Sequence, residues 1–162
     1  MTARYLKILL TLCVAGLAGL YAIQNIVNLD AAHGFAMLML SQSGEGLAYP
    51  DSIIPPLALP AAGWAVLWMI IGGELLTALF ALWGAAALFG ARGDAQAFNA
   101  AKSKAMLGAG LGVFVWFGFF AVIGGAGLQM WQTPPGAGSL QGAFQYSVLC
   151  FLTLLFLGQH DR

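Results

Sequence analysis

The chain has six acidic residues among 162, and one of them, Glu74, stands in the middle of an apolar run, Met69–Leu79, MIIGGELLTAL. A carboxyl so placed has two roles open to it. It can be hydrogen-bonding glue between helices, or it can hold a proton or a cation. Either role needs polar partners at the same depth, and few are on offer. Thr77 lies one turn along the same run, Trp116 carries an indole N–H, and Thr153 carries a hydroxyl. Glu74, Trp116, Thr77 and Thr153 are therefore the expected buried polar cluster. No Lys or Arg lies within an apolar run near that depth, so the carboxyl is expected to be neutral and hydrogen-bonded.

The remaining inventory argues against catalysis. There are two histidines, His33 and His160, and neither falls inside a long apolar run, which speaks against a haem held by a spanning histidine. His33 and Asp30 are three residues apart, but two ligands make a poor metal site. Cys13 and Cys150 are placed too far apart in depth to pair and read as small apolar fillers. The glycines of Gly108-Ala-Gly-Leu-Gly112 follow no strand and lie in an apolar run, so they read as a packing surface rather than a dinucleotide loop. No nucleophile–base pair, metal motif or phosphate loop is found. The expectation is a protein that is not an enzyme and holds no cofactor or metal.

The elements that must position Glu74 follow from composition. Sixty per cent of the residues are hydrophobic and 7% are charged, against about 25% charged in soluble domains. So much apolar surface in so short a chain needs lipid as its solvent. Four segments are long enough to span, at about residues 5–28, 62–90, 103–128 and 140–157, and each must be helical to satisfy its backbone in hydrocarbon. The first has Arg4 and Lys7 ahead of its apolar stretch but no convincing cleavage site, and reads as a retained helix. The fold expected is all-α: a single four-helix transmembrane bundle, residues 1–162, with a long external first connection.

Orientation rests on the cations. Arg4 and Lys7 open the first span, Arg92, Lys102 and Lys104 fall between the second and third, and Arg162 ends the chain. The other two connections hold no Lys or Arg. The positive-inside rule then assigns both termini to the cytoplasm, with Asp30, Glu45 and Asp51 on the far side. Counting from Ala62 sets Glu74 near midplane, level with Gly16, Trp116 and Thr153.

The connections differ in character. Asp30 is expected to cap a short helix from Ala31 to Ser41, whose Phe35, Met37 and Leu38 are too apolar for a solvated loop and should meet the membrane interface or another protein. Ser43-Gly-Glu-Gly46 and the prolines at 50, 55, 56 and 60 exclude a continuing helix. Gln132–Ser139 reads as a tight turn, and 91–102 as a short polar connection. Small residues recur every four positions at Gly73, Thr77, Ala81 and Ala85, and again at Gly108 and Gly112, a seam for close helix approach. Phe114, Trp116, Phe117, Phe119 and Phe120 point all round their helix at 100° per residue, so some face lipid or a partner. Trp64 and Trp131 fit an interfacial belt.

These pieces, taken in order, resemble a bacterial family of small four-helix inner-membrane proteins with no assigned activity. Asn25 and Asn28, Phe35 and Ser41, Tyr49-Pro50, Ile70-Ile71 with Glu74, Ala101-Lys102, Trp116-Phe117-Gly118-Phe119, Ile123-Gly124-Gly125 and Met130-Trp131-Gln132 carry the resemblance. Ala126-Gly127-Leu128 stands where the family often has an acidic residue and aromatics. Pro134-Pro135-Gly136 stands where it has an aromatic. The resemblance implies the fold and the location only.

The leading functional expectation is an accessory, non-catalytic subunit of a larger inner-membrane complex, serving packing, a lipid or quinone environment, or assembly. Phe35, Met37, Leu38, Phe117, Phe120 and Trp131 are its expected contact residues. Two alternatives stand beside it: a small homo-oligomeric transporter or channel with Glu74 as proton-coupled site, and a membrane protein that binds a lipid or quinone between its helices. Membrane lipids are expected partners and nucleic acid is not.

Overall fold

A computed structural model describes residues 1–43 and 47–162. Glu45, expected on the far side of the membrane, and most of Ser43-Gly-Glu-Gly46 lie outside the described residues. Among the described residues five long helices follow one another: α1 Thr2–Val27, α2 Leu29–Ser41, α3 Pro60–Gly90, α4 Ala95–Gly127 and, after a 3-10 turn at Met130–Gln132, α5 Pro134–Gly158. Four of them, all but α2, are long and apolar enough to span. Only 28% to 39% of each apolar window is buried inside the chain, so most of each helix faces outward, as a single ring of helices in lipid requires.

The chain runs up, down, up and down. α1 lies along α3, α3 along α4, and α4 along α5, and a thinner contact returns α5 to α1. One end of the bundle carries both chain termini and the α3–α4 turn. The opposite end is capped by α2 and the segment after it.

Two boundaries move from the sequence expectation. α4 starts at Ala95 rather than at 103, because Asp94 caps it by accepting from the Ala97 amide at 2.7 Å. α5 starts at Pro134 rather than near 140. Thr133 caps it, accepting from the Gly136 amide, and the two prolines occupy the first turn, where their missing N–H groups cost nothing. The stretch read as a turn is thus the start of a helix, and the fourth span is not short. Asp30 sits in the first turn of α2 and is not its cap, since the helix already begins at Leu29.

The small-residue seam is the contact between α3 and α4. A Cβ on Gly108 would meet the Ala81 amide nitrogen at 2.5 Å, and one on Gly84 would collide with the backbone of Ala105. Gly112 is packed under Cys150, Thr77 and Trp116. Beyond Val113, α4 changes its winding. From Phe114 to Gly127 the backbone bonds run i→i+5, ending with the Leu128 amide on the Ile123 carbonyl at 2.8 Å. Such winding is rare and is seen mostly as single turns, often at functional sites. Here it divides the aromatics: Trp116 is buried beside Val115, while Phe114 and Phe117 face outward.

The apolar segment expected to meet the membrane interface or another protein packs one face on this chain. α2 packs along the start of α3, where Met37 fills the space over Gly63 and His33 stacks on Trp64 at 4.1 Å between ring centroids. The segment after α2 is tied down by side-chain amides. Gln42 donates to the Ile54 carbonyl at 2.8 Å, Gln129 to the Asp51 carbonyl at 2.9 Å, and Gln132 to the Tyr49 carbonyl at 2.9 Å. Hydrogen-bonding the backbone in this way lets a proline-bearing segment lie against apolar helices.

Candidate functional site

Glu74 projects from the middle of α3 and is 2% exposed. Its Oε2 accepts a hydrogen bond from Asn25 Nδ2 of α1 at 3.0 Å. The expected donors are not used. Thr77 turns its hydroxyl back onto the Gly73 carbonyl at 2.8 Å, and Thr153 onto the Leu149 carbonyl at 2.9 Å, as hydroxyl side chains in helices commonly do. Thr77 and Thr153 are buried but bonded within their own helices.

The Asn25 contact also resets the depth. The residue of α1 level with Glu74 is Asn25, not Gly16. Asn25 is about five helical turns from Lys7, roughly 27 Å at 1.5 Å per residue, so the carboxyl lies in the capped half of the bundle rather than midway. The difference arises because α3 reaches well beyond the end of α1 at Val27, and α2 packs against the part that projects.

At that level the helices part around a cavity of about 570 Å³, a drug-sized volume. Glu74 lines it, together with Asn25 and Tyr21 of α1, Trp116 and Phe120 of α4, and Tyr146 of α5. Tyr21 and Asn25 stand four residues apart on one face of α1. Tyr21, Trp116 and Tyr146 form a continuous aromatic wall: ring centroids are 4.8 Å apart for the two tyrosines, 5.5 Å for Trp116 and Tyr146, and 6.5 Å for Tyr21 and Trp116. Phe35 of α2 and Ile54 and Leu57 of the following segment close the cavity at the capped end. No Lys, Arg, His or Asp lines it; Glu74 is its one acidic group among the described residues.

Of the expected contact residues, Phe35 and Phe120 therefore turn inward to the cavity, and Met37 packs on α3. Leu38, Phe117 and Trp131 keep exposed surface. Asn25, Tyr21 and Tyr146 line the site beside Glu74 but were not among the residues expected to cluster with it. The signal available for Asn25 was its spacing, four residues after Tyr21 on the same face of the first span.

A second polar cluster ties the terminal end. Lys7 of α1 and Lys102 of α4 both reach the Asp161 carboxylate at 2.5 Å, and both also donate to the Gln159 carbonyl at 2.6 Å. Asn99 brackets the peptide of Asp161, donating to its carbonyl at 2.8 Å and accepting from its amide at 3.0 Å. Arg4 donates to the Arg92 and Arg162 carbonyls. Burial raises the pKa of the Asp161 carboxyl, but hydrogen bonds from Lys102 and Lys7, with their charges, outweigh it and hold the group below its ordinary range. Apart from Arg4 Nε, which is buried without a partner, these groups bond to one another and hold three helices together, so this cluster is a structural clasp.

Four apolar spanning helices around a lined cavity, with basic side chains gathered at one end, define an all-α integral membrane protein. The chain belongs to the family described as predicted small integral membrane protein (DUF2165), whose model matches residues 3–160. No curated protein and no solved structure is detectably similar to it.

Proposed function

We propose that this protein is a non-catalytic membrane-embedded binding protein, taking an apolar small molecule with one polar end into the cavity beside Glu74. The observation that supports it is the combination of volume and lining: about 570 Å³ bounded by aromatic and aliphatic side chains, with a single buried carboxyl on one wall. Pockets that hold drug-sized ligands have this character, with a few polar groups fixing orientation. The proposed setting is the bacterial inner membrane with both termini cytoplasmic. In support, Arg4, Lys7, Arg92 and Lys102 gather at one end of the bundle, the end expected inside.

The test is native mass spectrometry of the full chain released from its own membranes in mild detergent. The expected result is an adduct of one small apolar molecule per chain. Gly142 lines the cavity and has only Tyr146 within ordinary contact of a side chain placed there, so Gly142→Phe should fill the space and abolish the adduct. A chain that flies without adduct, or an adduct unaffected by Gly142→Phe, rejects the reading.

A second reading, an accessory subunit of a larger membrane complex, is favoured by the outward aromatics. Phe114 and Phe117 are 58% and 56% exposed on neighbouring positions of the rewound helix. Stoichiometric co-purification of another membrane protein, lost on Phe117→Ala, supports it. A monodisperse chain alone argues against it.

A further inference from the structure

Resting on the cavity reading above, we infer that the ligand is a monovalent hydrophobic organic cation, a lipophilic quaternary or tertiary ammonium or a phosphonium, held with Glu74 as its counter-ion. A neutral polar head would be served by an amide or hydroxyl, which carries no risk of an unpaired charge. The site instead holds a carboxyl, and nothing in the cavity neutralises it. Among the described residues its only polar partner is the uncharged amide of Asn25.

An ionised carboxylate in so dry a place needs an opposite charge in contact with it. No Lys, Arg or His in the cavity supplies one, so either a proton stays on Glu74 or the complementary charge arrives with the ligand. The aromatic lining also suits a cation. Tyr21, Trp116 and Tyr146 line the cavity as a contiguous group of rings, and Phe35, Phe119 and Phe120 line it too. Aromatic faces attract cations through their quadrupole, most strongly when both are desolvated, and recognition of quaternary ammonium groups uses such surfaces. The apolar remainder of the cavity suits hydrophobic substituents on the cation.

A proton and the cation then compete for the same carboxylate oxygen. When the cation enters a protonated site, the O–H bond of Glu74 breaks, the electron pair stays on the carboxylate, and the proton passes to water. Other groups facing Glu74 do not confuse the pH dependence. α1 presents Tyr21 and Asn25, α4 presents Trp116, and α5 presents Tyr146. α2 presents Phe35 and Met39, while its His33 is stacked on Trp64 and does not line the cavity.

The experiment is equilibrium binding of radiolabelled tetraphenylphosphonium, and separately of the neutral triphenylphosphine oxide, to the purified full chain in detergent. The expected result is saturable phosphonium binding that weakens as pH falls, approaching about tenfold per pH unit where the proton wins. Glu74→Gln should lose phosphonium binding by at least about tenfold, the worth of roughly 1.4 kcal/mol, yet keep the phosphine oxide. Retained phosphine oxide binding shows that the variant is folded. Should it not fold, the pH dependence of the unaltered chain decides. Phosphonium binding that ignores pH, or that survives Glu74→Gln, overturns the inference. Binding of the phosphine oxide but not the phosphonium overturns it and leaves the cavity reading standing. Binding of neither overturns both.

Discussion

Lys7 and Asp161, at opposite ends of the chain, meet at 2.5 Å with side chains 2% and 5% exposed. Lys102 joins the same carboxylate, so one acid pins α1, α4 and the end of α5 together. Removing the acid leaves two ammonium groups buried without a counter-charge. Asp161→Asn should therefore destabilise the bundle by roughly 3 kcal/mol, the low end for a broken buried pair. Thermal unfolding in detergent, followed by circular dichroism, measures it.

The same clasp predicts an acid limit. The folded Asp161 carboxyl is held below its ordinary value of 3.8. The unfolded chain therefore binds the proton first as pH falls. The clasp's contribution is complete above the ordinary aspartate value and disappears as pH drops through the lower folded value. Stability of the unaltered chain should fall across that acidic window. Asp161→Asn should be flat in the same range, and denaturation curves at stepped pH compare the two.

Asn25→Ala removes the donor to Glu74 and leaves the carboxyl to the cavity alone. The expected cost is about 1 kcal/mol, in keeping with interhelical hydrogen bonds in membranes. A double-mutant cycle with Glu74→Ala should return a coupling energy of similar size. A coupling of zero would mean that the pair does not meet.

The seam between α3 and α4 has no room for a methyl group. Gly108→Ala would drive a Cβ into the Ala81 backbone, and Gly84→Ala would do so at Ala105. Overpacking of this kind costs about 1–3 kcal/mol. Gly110→Ala is the control, because nothing lies within 4 Å of its Cβ position. It should leave unfolding unchanged or raise its midpoint slightly.

Topology can be read chemically. In a background without Cys13 and Cys150, single cysteines at Arg92 and Arg162 should label from the cytoplasmic side only, and one at Ser52 from the other side only. Labelling of Arg92→Cys and Ser52→Cys from the same side would contradict the proposed orientation.

Much of this architecture was legible in the residues. Four apolar runs with so few charges allow little but spanning helices, since hydrocarbon leaves no other way to satisfy the backbone. The four-residue repeat of small side chains marked the α3–α4 seam, because helices that approach closely must be small at the contact. Glu74 was marked as the residue to explain, because a deep carboxyl is costly wherever it points.

Other features depended on three-dimensional arrangement. Pro134 and Pro135 read as a turn because proline breaks a helix interior, yet the same residues suit a first turn once Thr133 caps it. Depth counted along one span could not reveal that α3 overreaches α1, so Gly16 was matched to Glu74 where Asn25 belongs. The i→i+5 winding after Val113 changed the period on which any count of helix faces relies. Phe35 and Phe120 were apolar enough for a partner or for lipid, and composition cannot tell those from a cavity inside the same chain.

Residue type by itself decided the medium, the helices and the cost of one buried acid, because those follow from the free energy of moving groups between water and hydrocarbon. Which amide meets that acid, which rings stand around it, and which carboxylate holds Lys7 and Lys102 were decided only in the tertiary structure. Contacts between helices depend on relative register and rotation, and no single segment contains that information.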